Sequence, residues 1–179
     1  MKRALGWLLG LIAAALIALF VWGYAPDTDP AAMKAKYGGS PSQFVDLGGG
    51  LTVHLRDEGP RDAPVLVLLH GSNADLHTWQ AWTRKLSGKF RVIRYDQIGH
   101  GLTGPNPAGG HGPAAMVEVL ERLRTKLGLE QFALAGNSMG GGLAARYAST
   151  HPQHVSALIL VDAAGAPRKA GGGRGNIGF

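Results

Sequence analysis

The stretch QFALAGNSMGGGLAARYAST, residues 131–150, decides the fold. It opens on the apolar run Gln131–Ala135, which reads as a buried strand, and closes on a helix from Ser138 to about Thr150. Between the two stands Gly136-Asn137-Ser138-Met139-Gly140, a G-x-S-x-G pattern. Small residues on either side of Ser138 let the backbone crowd together in a sharp strand-to-helix turn. Such a turn would hold the serine strained and its hydroxyl exposed, at the amino end of a helix whose dipole favours a developing anion. Alone the pattern is weak. With 28 Gly and 7 Ser among 179 residues, it arises by chance in roughly one such chain in six, so context must confirm it.

The flanking sequence supplies that context. Val65–Leu69 (VLVLL) is an unbroken apolar run, as expected of a strand buried on both faces. A helix is expected near Thr78–Leu86 and a strand at Phe90–Tyr95. Residues 113–127 place Met116, Val119, Leu120, Leu123 and Leu127 on one helical face, and Val155–Val161 closes the series as a strand. Upstream, Gln43–Leu47 and Leu51–Arg56 are short strands joined across Gly48-Gly49-Gly50, a hairpin pattern. Strands alternating with helices predict an α/β fold with a doubly wound, mostly parallel sheet, begun by an antiparallel hairpin. The chain shows no internal repeat.

Chemistry in parallel sheets gathers at the carboxyl ends of the strands. Three motifs fall there. The first is the Ser138 turn. The second, His70-Gly71-Ser72-Asn73, comes directly after Val65–Leu69. A serine attacking a carbonyl creates an oxyanion that needs preorganised N–H donors about 3 Å away. The backbone N–H groups of Met139 and Ser72 are the candidates. The third, Asp96-Gln97-Ile98-Gly99-His100-Gly101, has glycines that permit a tight loop along the rim of the same site.

These three motifs, in this order, resemble the α/β-hydrolase family from about Gln43 to Gly165. The resemblance implies a Ser–acid–His triad in that chain order, with Ser138 as nucleophile and the N–H groups of Ser72 and Met139 as oxyanion hole. A serine at the elbow argues against the aspartate-nucleophile branches. The wording Gly-Asn-Ser-Met-Gly-Gly is similar to that of carbon–carbon bond hydrolases, though not confined to them. The family's acid and histidine normally come after two further strands and a cap, so residues 43–165 hold its first six strands. No residue of this sequence matches the triad's histidine or its usual acid. His151 and His154 lie beyond a helix leading roughly 18 Å away from Ser138 at 1.5 Å per residue. His54 is mid-strand and His111 precedes a helix. His70 and His100 sit on the correct edge as loop-fixing residues, Asp96 reads as a loop-fixing acceptor, and Asp162 as structural. Trp79 and Trp82 read as helix packing with a rim contact.

The amino terminus is a separate matter. From Ala4 to Pro26 the chain carries no charge, and as a helix Ala4–Tyr24 would span roughly 31 Å, close to the hydrocarbon thickness. Lys2 and Arg3 precede it and Asp27 and Asp29 come after, so the amino terminus is expected in the cytoplasm and the folded domain on the outer, periplasmic or extracellular, side. The alternative is a cleaved signal peptide, whose apolar region normally runs about 7–15 residues. The expected organisation is an anchor at 1–25, a linker at 26–42 (PDTDPAAMKAKYGGSPS), the partial α/β-hydrolase domain at 43–165 and a Gly-rich tail at 166–179, where a cap would begin.

Charge and composition narrow the function. Of the net +6, residues 1–36 carry +2, residues 166–179 carry +3 and residues 37–165 only +1 (eleven Lys or Arg against ten Asp or Glu). No basic stripe interleaved with aromatics marks the body, so nucleic acid is not an expected partner. Zero cysteines exclude a disulfide scaffold, a thiolate zinc site and a cysteine nucleophile. No cofactor and no metal is expected. The reading is therefore a membrane-anchored serine hydrolase acting through an acyl-enzyme on an apolar small molecule, an ester-like or related carbonyl substrate. The alternatives are a catalytically incomplete fragment serving as a membrane or partner-binding module, and a carbon–carbon bond hydrolase.

Overall fold

The computed structural model describes residues 2–165, so the expected Gly-rich tail at 166–179 lies outside the described residues. The chain divides into two units at Ala32/Met33. The first contains helix α1, Lys2–Gly23, a continuous apolar run with no charge after Arg3. Its segment Arg3–Gly23 has a mean hydropathy of 2.6 and no buried residue, and is long and apolar enough to cross a membrane. A short helix α2, Pro30–Tyr37, spans the division, within the stretch 26–42 that composition reads as a linker. The helix forms because the Asp29 carboxylate accepts the Ala31 N–H at 3.0 Å and proline starts the first turn, while Ala, Met and Lys favour the second.

The second unit is built on one six-stranded sheet: β1 (Ser42–Asp46), β2 (Thr52–Glu58), β3 (Val65–Leu69), β4 (Arg91–Tyr95), β5 (Phe132–Asn137) and β6 (Val155–Val161). Their spatial order is β1-β2-β4-β3-β5-β6. β1 and β2 pair antiparallel, β2 joins β4 antiparallel, and β4, β3, β5 and β6 run parallel. This is the doubly wound, mostly parallel arrangement with an opening hairpin that the alternation predicts.

The two-residue side-chain period of the strands builds two cores. Val67, Leu69, Ile93, Tyr95, Phe132 and Leu134 face helices α4 (Pro113–Lys126) and α5 (Met139–Thr150), meeting Met116, Leu120, Leu123, Leu143 and Tyr147. Leu66, Leu68, Val92 and Ala135 face the other way, onto Trp79. Trp79 ends a 3-10 turn, Leu76–Trp79, that leads into helix α3, Gln80–Leu86. The expected single helix from Thr78 is thus a tighter turn and then a shorter helix. Trp79 is buried and Trp82 meets it edge-on at 5.0 Å while remaining exposed. At the sheet's edge, β6 leaves Leu158, Ile159 and Leu160 exposed at 41%, 37% and 48%, an open apolar margin among the described residues.

Candidate active site

The carboxyl ends of β3, β4 and β5 bring the three loop motifs to one edge. The Ser138 turn is dictated by sterics. A Cβ at Gly136 would overlap the Gly140 carbonyl, and one at Gly140 would overlap the carbonyls of Leu69 and His70 at the end of β3. The two glycines of G-x-S-x-G are therefore the positions where backbone meets backbone. Gly141 adds a third close approach, since a Cβ there would stand 2.6 Å from that of Ala163. With the chain pinched on both sides, Ser138 adopts φ +51° and ψ −117°, outside the basins that L-residues prefer. Its backbone is fully engaged: its N–H donates to the Val161 carbonyl at 3.0 Å, and its carbonyl accepts from Gly141, Gly142 and Ala164. Its hydroxyl makes no hydrogen bond among the described residues, and the residue is half-buried.

The loop after β3 lies against this turn. The Cβ position of Gly71 is 3.2 Å from the Ser138 Cβ and 3.2 Å from Asn137 Oδ1. Asn137 Nδ2 in turn donates to the Val161 carbonyl at 3.2 Å, tying the turn to the end of β6. The Ser72 and Met139 N–H groups engage no acceptor among the described residues, and Met139 is the first residue of α5, where N–H groups lack intrahelical partners. An open, mostly apolar trough of about 480 Å³ begins beside Met139, lined by Leu143, Leu160, Ala163 and Ala164 with Arg146 at its border.

The rim loop hangs on Asp96, which is almost fully buried. Its Oδ1 accepts the Leu76 N–H at 2.8 Å; its Oδ2 accepts the Leu102 N–H at 2.8 Å and faces His54 Nδ1 at 2.7 Å. Burial would raise the carboxyl's pKa, but the hydrogen bonds from His54, Leu76 and Leu102 outweigh it and hold the group below its ordinary value. Gly101 must be a glycine, because a side chain there would run into this carboxylate. Asp96 is the loop-fixing acceptor expected of it. His54, merely mid-strand in the sequence, is its buried partner, stacked on Phe44 at 5.0 Å.

His70 and Gln97 form a second buried pair. The Gln97 N–H donates to His70 Nε2 at 3.0 Å and Gln97 Nε2 donates to the His70 carbonyl at 2.7 Å. Nothing in the sequence marks Gln97 beyond its place in the rim motif. Of the remaining histidines, His151 caps the far end of α5 and stacks on Tyr147, and His154 lies just beyond it. None of the seven histidines hydrogen-bonds to Ser138. Asp162 stands exposed at φ +45°, directly after β6. Among the described residues no cluster of three or more His, Cys, Asp or Glu could hold a metal ion.

Comparison with known proteins agrees with the fold. Residues 64–173 match the α/β hydrolase fold family, and the chain belongs to it. A membrane phospholipase A, a bacterial virulence factor, superposes with a TM-score of 0.69 at 31% identity, covering 94% of this chain and 55% of that one. The 2-hydroxy-6-oxo-6-phenylhexa-2,4-dienoate hydrolase of Rhodococcus sp. strain RHA1 gives a TM-score of 0.65 at 27% identity, covering 72% of this chain and 48% of its own. An uncharacterized protein of Mycobacterium tuberculosis is 35% identical over 105 residues, 59% of this chain and 30% of the relative. The chain thus spans about half the length of these solved structures and less than a third of that relative.

Proposed function

We propose that this chain carries the nucleophile and oxyanion half of a membrane-anchored serine hydrolase that cleaves apolar, ester-like small molecules through an acyl-enzyme. Ser138 attacks the carbonyl, and the N–H groups of Ser72 and Met139 receive the oxyanion. The observation that carries the reading is the Ser138 turn itself: a non-glycine residue at φ +51° with an unengaged hydroxyl, at a helix start, against the loop after β3. Strain of about 1–3 kcal/mol persists only where the surroundings enforce it, and such positions concentrate at functional sites. The trough beside Met139 fits an apolar acyl or leaving group. The general base is assigned to no residue from 2 to 165, so the histidine and acid of the family's triad are to be supplied from elsewhere.

Helix α1 is the proposed anchor, with the amino terminus cytoplasmic and the sheet domain on the outer side. The similarity to the membrane phospholipase supports it, because a match over 94% of this chain cannot omit the whole of α1. That similarity also favours an ester over a carbon–carbon bond, the reading suggested by the Rhodococcus enzyme.

The test is reaction of the full chain in detergent micelles with a fluorophosphonate, beside Ser138→Ala, with the adduct located by peptide mass spectrometry. Turnover is not the readout, because an oxyanion hole and binding alone can leave roughly 10³–10⁴ over water, with or without the serine, when a triad is incomplete. A phosphonyl adduct on Ser138, formed as fluoride leaves and absent from Ser138→Ala, is the expected result. A chain that stays unlabelled at Ser138 would overturn its assignment.

A further inference from the structure

Beside the nucleophile, one buried contact joins two loops that the proposed chemistry needs in register. His70 and Gln97 are both almost fully buried. Two hydrogen bonds join them, backbone to ring and side chain to backbone. Because His70 Nε2 accepts the Gln97 N–H, that nitrogen bears no proton. The ring proton therefore sits on Nδ1 and donates to the Gly71 carbonyl at 2.8 Å. The side-chain amide of Gln97 donates to the His70 carbonyl, while its Oε1 is buried without a partner among the described residues. A buried glutamine with half its amide unengaged is held in place by the other half. From His70 the path is short: a Cβ at Gly71 would stand 3.2 Å from that of Ser138, and one at Gly140 would overlap the carbonyl of His70.

We infer that Gln97 and His70 form a proton-sensitive clamp that sets the loop bearing the Ser72 N–H, with Gln97 as a positioning residue for the oxyanion hole. The clamp exists only with His70 neutral. A proton on Nε2 would turn the acceptor into a donor facing the Gln97 N–H, and the two loops would part. The ring is surrounded accordingly. Burial lowers its pKa, the bond to Gly71 opposes this, His100 meets it edge-on at 5.1 Å and lowers it further, and the charges of Asp96 and Asp75 raise it. The net displacement is downward, so the clamp is closed at neutral pH and opens on acidification. This inference rests on reading Ser72 as an oxyanion donor.

The experiment is two-dimensional NMR of the full chain in detergent micelles, as a function of pH, on the wild type and Gln97→Met. In the wild type, His70 is expected as the Nδ1–H tautomer, and the amides of Gly71, Ser72 and Asn73 are expected to shift together with the His70 ring as it protonates. In Gln97→Met, which keeps the volume and removes the side-chain donor to the His70 carbonyl, exchange of the position-97 amide, bound to His70 Nε2, should rise about tenfold, while Val67 and Leu134 in the sheet stay protected. A proton on Nε2 at neutral pH, loop amides that ignore the His70 titration, or position-97 exchange within about twofold of wild type would each overturn the clamp. If Val67 and Leu134 also lose protection, the variant has unfolded and the wild-type titration decides alone. Failure of the nucleophile reading shows separately, as no fluorophosphonate adduct on Ser138, and leaves these NMR outcomes intact.

Discussion

Asp96→Asn isolates the electrostatics that hold the rim of the site. The substitution keeps shape and removes one acceptor oxygen and the charge. If the amide oxygen takes the place of Oδ2, it still meets Leu102 N–H and His54 Nδ1, but the new NH2 faces the Leu76 N–H donor to donor. The opposite orientation keeps the Leu76 bond but sets the NH2 against the Leu102 N–H, and it keeps the His54 contact only by moving that ring's proton to Nε2, which has no partner among the described residues. A hydrogen bond to a charged group contributes about 1.5–3 kcal/mol, and an orphaned buried donor costs about 1–3 kcal/mol. The expected loss is about 3–5 kcal/mol, the range found when one partner of a buried pair is removed. At roughly 3 °C per kcal/mol for a domain of this size, Tm should fall by about 10 °C. The melt is followed by near-UV circular dichroism, in which the loss of signal from the packed Trp79, Trp82 and Tyr95 reports the sheet domain, while Trp7 and Trp22 of α1 contribute equally in both proteins. The pH dependence gives the sharper test. The folded pKa of Asp96 lies below its ordinary 3.8, so its stabilisation is fully present above that value and is lost as pH falls through the folded pKa. The gap between wild type and Asp96→Asn should be constant from neutral pH down to about 5 and narrow only below about 4. A Tm within about 2 °C of wild type at pH 7, or a gap unchanged on acidification below about 4, would refute the reasoning.

Three further outcomes rest on the same structure. Ser138→Gly relieves the φ +51° backbone and should raise Tm by roughly 3 °C, after a partly offsetting glycine entropy cost, while removing the site of fluorophosphonate labelling. Gly136→Ala places a Cβ on the Gly140 carbonyl, with only backbone to give way, and should cost more than about 4 kcal/mol, read as loss of the cooperative near-UV melt. In Tyr147→Phe the ring stays in the core but the 2.6 Å hydrogen bond to Glu121 is lost. Glu121, held at about 2 by Arg124 first and by Tyr147 after an opposing burial contribution, should then titrate closer to its ordinary 4.5, as tracked by carboxyl carbon NMR. Since that pKa is depressed, its stabilisation is present above 4.5 and fades as pH falls toward 2, and the variant should lose part of it.

The strands Val65–Leu69 and Val155–Val161 have the ends that the apolar runs suggest, because turn residues bound them. β2 runs on to Glu58, two residues past the expected Arg56. Asp57 is buried against Arg91 and Arg61, and Glu58 pairs with the fully buried Arg94, so charges that look like a strand's end are neutralised, chiefly by the neighbouring strand. No local pattern announces Arg91 and Arg94, which lie 34 and 36 positions from the carboxylates they meet. The same distance hid the site's supporting pairs: His54 and Asp96 lie 42 positions apart, and His70 and Gln97 lie 27 apart.

The Ser138 turn was legible for the opposite reason. The overlap that forbids a side chain at Gly136 involves Gly140, four residues on, so the constraint is written within one turn of chain. Gly140 faces a different neighbour, the end of β3, and that contact links the Ser138 turn to the loop after β3 through backbone alone. A glycine required by a close approach of two backbones leaves the same mark in any sequence, whereas a base or an acid reaching a hydroxyl through its side chain can be delivered from many positions. The turn that holds Ser138, and the loop laid against it after β3, belong to the first kind, which is why glycines mark both in the sequence.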